Sequence, residues 1–228
     1  MDAGTELWLI RHGETEWSAE NRHTSRTDLP LTALGRERAV ELGKFLAGTK
    51  FQAVLRSPML RAKETCEIAG YGDVAVVDEG LREWDYGVYE GRTTQEIQAE
   101  IPGWSVWKDP IIGGESVEQV GARADGVIAR ALVYAVGGPT SQNRDPHPSQ
   151  QAVWEPRDMG HPPPPETDEA SRVALFAHAH ILRILAARWI GLGPRDGSLF
   201  VLSTGSVSVL GWERETRVIQ RWNRGFEE

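Results

Sequence analysis

Cysteine is nearly missing from this chain. Cys66 is the only one in 228 residues, so no internal disulfide can form, and a reducing, cytoplasmic setting is expected. Long apolar runs are missing too. Nothing approaches the roughly 20 residues that a membrane-spanning helix needs, and Met1 to Glu6 has neither the basic start nor the apolar core of a secretory leader. A basic excess is also absent. The net charge is -8, which argues against a general nucleic-acid binder, because such a protein carries a basic face. An anion pocket in this chain must then be built from a few local arginines. What is present is ordinary hydrophobic content, 40%, in a length that suits one domain over residues 1–228.

The stretch Leu7-Trp8-Leu9-Ile10 reads as a strand buried on both faces, and it stops abruptly at Arg11-His12-Gly13. Ligands of open parallel sheets sit at the carboxyl ends of the strands, so Arg11 and His12 are expected at the rim of a cleft. A polar loop over 16–30 follows, with Trp17, Ser18, Arg22, Thr24, Arg26 and Asp28. Thr32 has the character of an N-cap before an amphipathic helix carrying Leu34, Leu42, Phe45 and Leu46.

The same strand-to-helix pattern recurs. Phe51 to Leu55 runs into Arg56-Ser57-Pro58, where Ser57 suits an N-cap and Pro58 a first helical position, with Arg61 one turn in. Val74 to Val77 is a third strand, ending in the acidic and aromatic stretch Asp78 to Gly87. Thr93 with Glu96, and Ser116 with Gln119, form capping boxes that open two further helices. Val173 to Ala177 repeats the opening logic, a buried strand ending in His178 before a helix over 181–190. Strands at 199–202, 207–212 and 218–222 alternate better and read as edge or antiparallel strands. Between these elements, residues 138–170 change composition: proline-rich, polar and without apolar period, they read as a surface insertion, and His147 and His161 within it as solvated.

Arg11, His12, Arg61 and His178 thus converge on one sheet edge, with Glu83 following a further strand. Two guanidinium groups match a phosphate dianion in charge and geometry. A neutral imidazole can attack phosphorus, and a carboxylic acid can protonate the leaving alkoxide and afterwards activate water. No step of that chemistry requires a metal. The pair His178-x-His180 could instead serve a metal, but neither a carboxylate cluster at ligand spacing nor a His-Glu-x-x-His motif accompanies it.

The motif Arg11-His12-Gly13-Glu14-Thr15 resembles the signature of the histidine phosphatase superfamily, the phosphoglycerate mutase-like proteins. The likeness continues through Asp28 to Thr32, Ser57-Pro-x-x-Arg61-Ala-x-Glu64-Thr65, Leu81-Arg82-Glu83, Tyr86-Gly87, Glu90-Gly91, Gly114-Glu115-Ser116 and Phe176-Ala-His178-x-His180-x-Leu-Arg183. It spans nearly the whole chain except the insertion. The resemblance implies a three-layer α/β/α sandwich with a mostly parallel central sheet, and a phosphohistidine mechanism without metal or other cofactor. It implies His12 as nucleophile, Arg11, Arg61 and His178 as the groups holding the phosphoryl group, and Glu83 as proton donor and later base. Ser18 and Thr24 fall at phosphate-pocket positions, and Tyr86 and Ala179 at substrate-contacting ones. Relatives usually carry glycine at the Ala179 position; a requirement for positive φ there would strain alanine.

Within the family the chain looks closest to sedoheptulose-bisphosphatase-like and related sugar-phosphate phosphatases. Cofactor-dependent mutases have a longer segment between the acidic residue and Gly-Glu-Ser, and the shorter one here favours an open site and hydrolysis. The expected partner is a small phosphorylated substrate, with no nucleic acid and no membrane, for a monomer or homodimer. Phosphoglycerate mutase and a low-turnover phosphate-binding regulatory module are the alternatives. Selectivity is expected from the loops around Trp17, Arg22, Trp84, Tyr86 and Trp104.

Overall fold

The computed structural model describes residues 4–138 and 170–225. The insertion expected at 138–170, with His147 and His161, lies outside the described residues apart from its two end positions.

The elements in chain order are β1 (Thr5–Arg11), α1 (Glu16–Ala19), α2 (Ala33–Leu46), β2 (Ala53–Arg56), α3 (Leu60–Ile68), β3 (Ala75–Val77), α4 (Thr94–Glu100), α5 (Val117–Ala135), β4 (Ser171–Ala177), α6 (Ala179–Trp189), β5 (Val207–Glu213) and β6 (Thr216–Arg224). The strands form a six-stranded sheet in the order β3-β2-β4-β1-β5-β6. Strands β1 to β4 run parallel, while β5 and β6 are antiparallel additions at one side.

The apolar runs of β1 and β4 are continuous because alternate residues feed two different cores. Leu7, Leu9, Val173 and Leu175 point to the face covered by α5 and α6. Trp8, Ile10, Ala174 and Phe176 point to the other face, against Leu42 and Leu46 of α2 and Cys66 of α3. The result is the expected three-layer α/β/α sandwich with a mostly parallel sheet.

Register then places the strand ends. Arg11 pairs with Ala177, and Arg56 with Phe176. The His12 amide donates to the Ala177 carbonyl at 3.0 Å, and the Ser57 amide to the Phe176 carbonyl at 2.9 Å. His12, Ser57 and His178 therefore leave the sheet at one edge and one level.

Several local expectations hold. Thr32 Oγ1 accepts the Gly35 amide, and the boxes Thr93/Glu96 and Ser116/Gln119 are both formed. Others are corrected. The segment over 16–30 is not wholly irregular: Thr15 and Ser18 close a capping box that starts α1. Helix α3 begins at Leu60 with Met59 at the N-cap position, so Ser57 and Pro58 lie before it. Its first amide is met from the loop instead, Leu60 N–H donating to Asp28 Oδ1 at 2.7 Å. Residues 199–202 form no strand, because Pro194–Leu199 is a 3-10 turn and the chain then runs irregularly past the sheet end. Val74 is outside β3, an edge strand on which Val77 is exposed. Among the described residues no helix is long and apolar enough to cross a membrane.

Two glycines let α2 approach the strand end. A Cβ at Gly13 would lie 2.6 Å from the Gly35 carbonyl oxygen, and one at Gly35 would fall on the Glu14 carbonyl. Gly35→Ala is expected to lower unfolding free energy in urea by about 1–3 kcal/mol. Gly126→Ala, in the middle of α5 where a Cβ meets only the end of Arg130, should raise it by roughly 0.5–1 kcal/mol.

Candidate active site

A cavity of about 470 Å³ opens at the shared strand edge. Arg11, His12, Glu83, Tyr86, Ala179, Ser18 and Thr24 line it, so most of the residues singled out in the sequence meet here. Arg61 and His178 do not line it. Both are fully buried in the layer behind His12, whose ring centre lies 5.1 Å from that of His178.

Hydrogen bonds fix the imidazole tautomers. His12 Nδ1 lies 2.7 Å from the Gly13 carbonyl. A carbonyl only accepts, so Nδ1 carries the proton and Nε2 keeps its lone pair. Burial, then the neighbouring guanidinium groups of Arg61 and Arg11, hold His12 well below the ordinary histidine value, so it stays neutral. Arg61 Nε–H donates to His178 Nδ1 at 3.1 Å, which leaves the His178 proton on Nε2, where it donates to Ser57 Oγ at 2.8 Å. Ser57 is therefore engaged by His178, and its hydroxyl accepts the Met59 amide at 3.3 Å.

Arg61 holds more than His178. Its Nη1 and Nη2 donate to the carbonyls of Thr27, Thr24 and Ser25. Glu90 grips the same loop from the other side, accepting the amides of Ser25 and Thr27. The cation and the carboxylate together shape the loop that carries Thr24 into the cavity wall. Arg11 is more open: Nη1 donates to the Leu202 carbonyl, while Nε is buried without a partner. Burial brings Arg11 down to about 10, still fully charged at neutral pH.

Glu83 caps the first turn of α6 from outside the helix. Its carboxylate accepts the amides of His180 and Ile181, each at 3.0 Å, and of Trp84 at 2.9 Å. Burial works to raise its pKa. Hydrogen bonds from His180 and from the Trp84 amide outweigh burial and hold the carboxyl well below the usual range. The resting group is a carboxylate.

Ser18 and Thr24 are partly committed elsewhere. The Ser18 hydroxyl donates to the Thr15 carbonyl, and that of Thr24 to the Arg22 carbonyl, each at 3.0 Å. Ala179 is the first residue of α6 and is not among the residues with positive φ. Alanine therefore introduces no backbone strain there. Of the expected specificity wall, Arg22, Tyr86 and Trp104 line the cavity. Trp84 does not: it is core, its indole donating to the Glu115 carbonyl at 2.8 Å. Trp17 does not either, since it lies over Gly91.

Several lining residues were not assigned from sequence. Tyr86 Oη is 2.7 Å from His180 Nδ1. His180 sits among Trp84, Tyr86 and Trp107, and His23 is buried against Tyr86 and Trp104. Arg183 lies over the Trp107 ring. The spacing of Ala179 and Arg183, one helical turn, was the available signal for Arg183; nothing local marks His23 or Trp107. The rings of His178 and His180 go to different partners. Among the described residues no group of three or more His, Cys, Asp or Glu side chains is placed to hold a metal ion.

The arrangement brings together a neutral imidazole with a free Nε2, guanidinium groups and one carboxylate at the tips of parallel strands. A family model of the histidine phosphatase superfamily (branch 1) matches residues 7–137 and 165–225, and the chain belongs to that superfamily. The chain is 35% identical over 214 residues to an acid phosphatase of Mycobacterium tuberculosis, covering 92% of this chain and 88% of that one. It is 34% identical over 209 residues to a sedoheptulose 1,7-bisphosphatase of Saccharomyces cerevisiae, covering 81% and 67%. A solved structure of a Mycobacterium tuberculosis open reading frame superposes with a TM-score of 0.78 at 32% identity, over 98% of this chain and 99% of that one. The chain is accordingly a phosphoric monoester hydrolase.

Burial, with the charge of His180 second, brings His23 down from 6.5 to about 4. The unfolded chain binds this proton first as pH falls, so the stability tied to a neutral His23 is complete above about 6.5 and is lost between there and about 4. His23→Gln is expected to flatten that part of a plot of unfolding free energy against pH, measured by urea titration.

Proposed function

We propose that the protein hydrolyses small phosphorylated metabolites, sugar phosphates or bisphosphates, through a phosphohistidine on His12 and without a metal. The observation that carries this is the His12 tautomer: with Nδ1–H spent on the Gly13 carbonyl, the Nε2 lone pair is the nucleophile in a cavity that also holds Arg11 and Glu83. Nε2 attacks phosphorus, the bond from phosphorus to the ester oxygen breaks, and the leaving alkoxide takes a proton from Glu83. The Glu83 carboxylate then removes a proton from water, whose oxygen attacks the phosphohistidine. The P–N bond breaks and restores the Nε2 lone pair of His12, and phosphate leaves with the proton that Glu83 took from water, which returns Glu83 to the carboxylate.

Arg11 neutralises the equatorial oxygens directly, and its unpartnered Nε is available for one of them. Arg61 acts through His178, whose Nε2–H it directs onto Ser57 behind the nucleophile. Trp104 brings another buried, unpartnered donor, Nε1, to the cavity wall. Polar walls with indole faces suit a polyhydroxylated substrate. The single cysteine, Cys66, supports a reducing, cytoplasmic setting for the protein, which we propose acts as a monomer or homodimer.

Because resting Glu83 is anionic, the acid proton must arrive with the substrate, as the phosphate monoester monoanion, whose remaining proton leaves with a pKa of about 6. The incoming negative charge also raises the proton affinity of Glu83. kcat/KM should therefore rise as pH falls from 8 toward 5, with EDTA without effect. His12→Ala should lower turnover by about 10³-fold or more. Glu83→Gln should lower kcat/KM for an alkyl phosphate by about 10²–10⁴-fold and for p-nitrophenyl phosphate far less, because nitrophenolate needs no acid to leave, while kcat for both falls through the lost base. Near-normal turnover by His12→Ala, followed as phosphate release, would overturn the reading.

A further inference from the structure

We propose that Asn223, on the outermost strand of the sheet, is a positioning residue for the reaction: it holds the loop over 201–206 so that the Leu202 carbonyl keeps Arg11 aimed at the phosphoryl group. The inference rests on the hydrolase reading and adds a residue that acts through Arg11. Strand β6 pairs only with β5, and Asn223 does not line the substrate cavity. Its backbone lies in the left-handed region, with φ 52°, which asparagine tolerates better than most residues. From there its side chain meets the loop. Asn223 Oδ1 accepts the Ser203 amide at 2.7 Å, and Nδ2 donates to Ser203 Oγ at 3.3 Å. The Asn223 amide is anchored in turn on Ser208 Oγ at 2.9 Å, where the register between β5 and β6 shifts.

One residue earlier on β6, Trp222 Nε1 donates to the Val201 carbonyl at 2.7 Å. Leu202 is thus pinned on both sides, through Val201 and through Ser203. Its side chain is buried in the cavity wall, and its carbonyl accepts Arg11 Nη1. Among the described residues that is the one hydrogen bond the Arg11 guanidinium makes, since Nε is buried without a partner. A guanidinium held by a single acceptor can swing about it, so the place of that carbonyl sets where Nε points. The far end of the loop has its own supports. Ser206 Oγ donates to the Ser203 carbonyl at 2.7 Å, the Arg11 amide to the Ser206 carbonyl at 3.2 Å and the Gly205 amide to the His12 carbonyl at 3.0 Å. Loss of the Asn223 clamp therefore falls on Leu202 and Arg11 rather than on the backbone of His12.

A double-mutant cycle on Asn223 and Arg11 tests this. Asn223→Gly removes the clamp without backbone strain, because glycine adopts this φ freely. Asn223→Asp keeps an oxygen acceptor for the Ser203 amide. Two quantities are followed, kcat/KM for p-nitrophenyl phosphate and the dissociation constant of inorganic phosphate by calorimetry, with urea unfolding to show that each variant is folded. Asn223→Gly should lower kcat/KM by about 10- to 100-fold and weaken phosphate binding with it, and Asn223→Asp should recover most of the loss. In an Arg11→Met background, Asn223→Gly should change either quantity by no more than about two- to threefold, because the group it positions is gone. An equal loss in both backgrounds overturns the proposal and leaves Asn223 a support of the fold alone; so does an Asn223→Gly variant with wild-type kinetics. If Asn223→Gly does not fold, Trp222→Phe takes its place in the cycle with the same two outcomes, since it deletes the other bond to the loop and keeps an aromatic ring against Phe200. A wild type that releases no phosphate from any ester would remove the hydrolase reading, and the cycle on phosphate binding would still decide Asn223. A wild type that binds no phosphate either overturns both.

Discussion

Strands β1 and β4 run side by side and stop at the same level, Arg11 opposite Ala177. The rest of the site depends on this register. Both strands are buried on both faces, and a slip of one residue would exchange the side chains that fill the two cores. The hydrophobic pattern that folds the sheet therefore also sets where His12 and His178 leave it. Strand β2 joins at the same level through Arg56 and Phe176, which brings Ser57 alongside. Helices α3 and α6 then start from this edge and carry Arg61 and the amides that hold Glu83.

The second organising feature is the way charge is buried. Arg61 is fully enclosed, yet each nitrogen of its guanidinium has a partner, and those partners come from a loop and from the strand-to-helix junction at His178. Glu83 is nearly enclosed and accepts three amides. Neither charge is paired by a short ion pair with the other, so the site keeps separate positive and negative groups instead of cancelling them. The histidines between them stay neutral, because burial and the nearby guanidinium groups both oppose protonation. A site arranged this way is prepared for an anion before one binds, which is how electrostatic preorganisation lowers a barrier.

The legibility of the chain varied with the range of the physics involved. Strands β1 and β4 were readable because a strand buried on both faces needs unbroken apolar sequence. The caps at Thr32, Thr93 and Ser116 were readable because a cap is a contact between residues three apart. Ser57 reads as a cap by the same local logic. It is not one: the helix starts three residues later, at Leu60, and the Ser57 hydroxyl meets His178, far along the chain. Residues 199–202 look like a strand by composition, but no neighbouring strand is placed to pair with them. Ala179 could not be judged locally either: the position lies inside the first turn of α6, where alanine is at ease.

By itself the sequence marked the buried strands and most helix starts, through periodicity and capping, and its motifs, through their likeness to the histidine phosphatase superfamily, implied the sandwich and the residues proposed as nucleophile, acid and phosphate-holding arginines. Only the tertiary structure decided which nitrogen of His12 is free, that Arg61 and His178 stand behind the cavity rather than in its wall, and that His23, His180, Trp107 and Arg183 complete that wall. Those outcomes depend on contacts between segments remote in sequence, and no local pattern encodes the partner that a buried polar atom will meet.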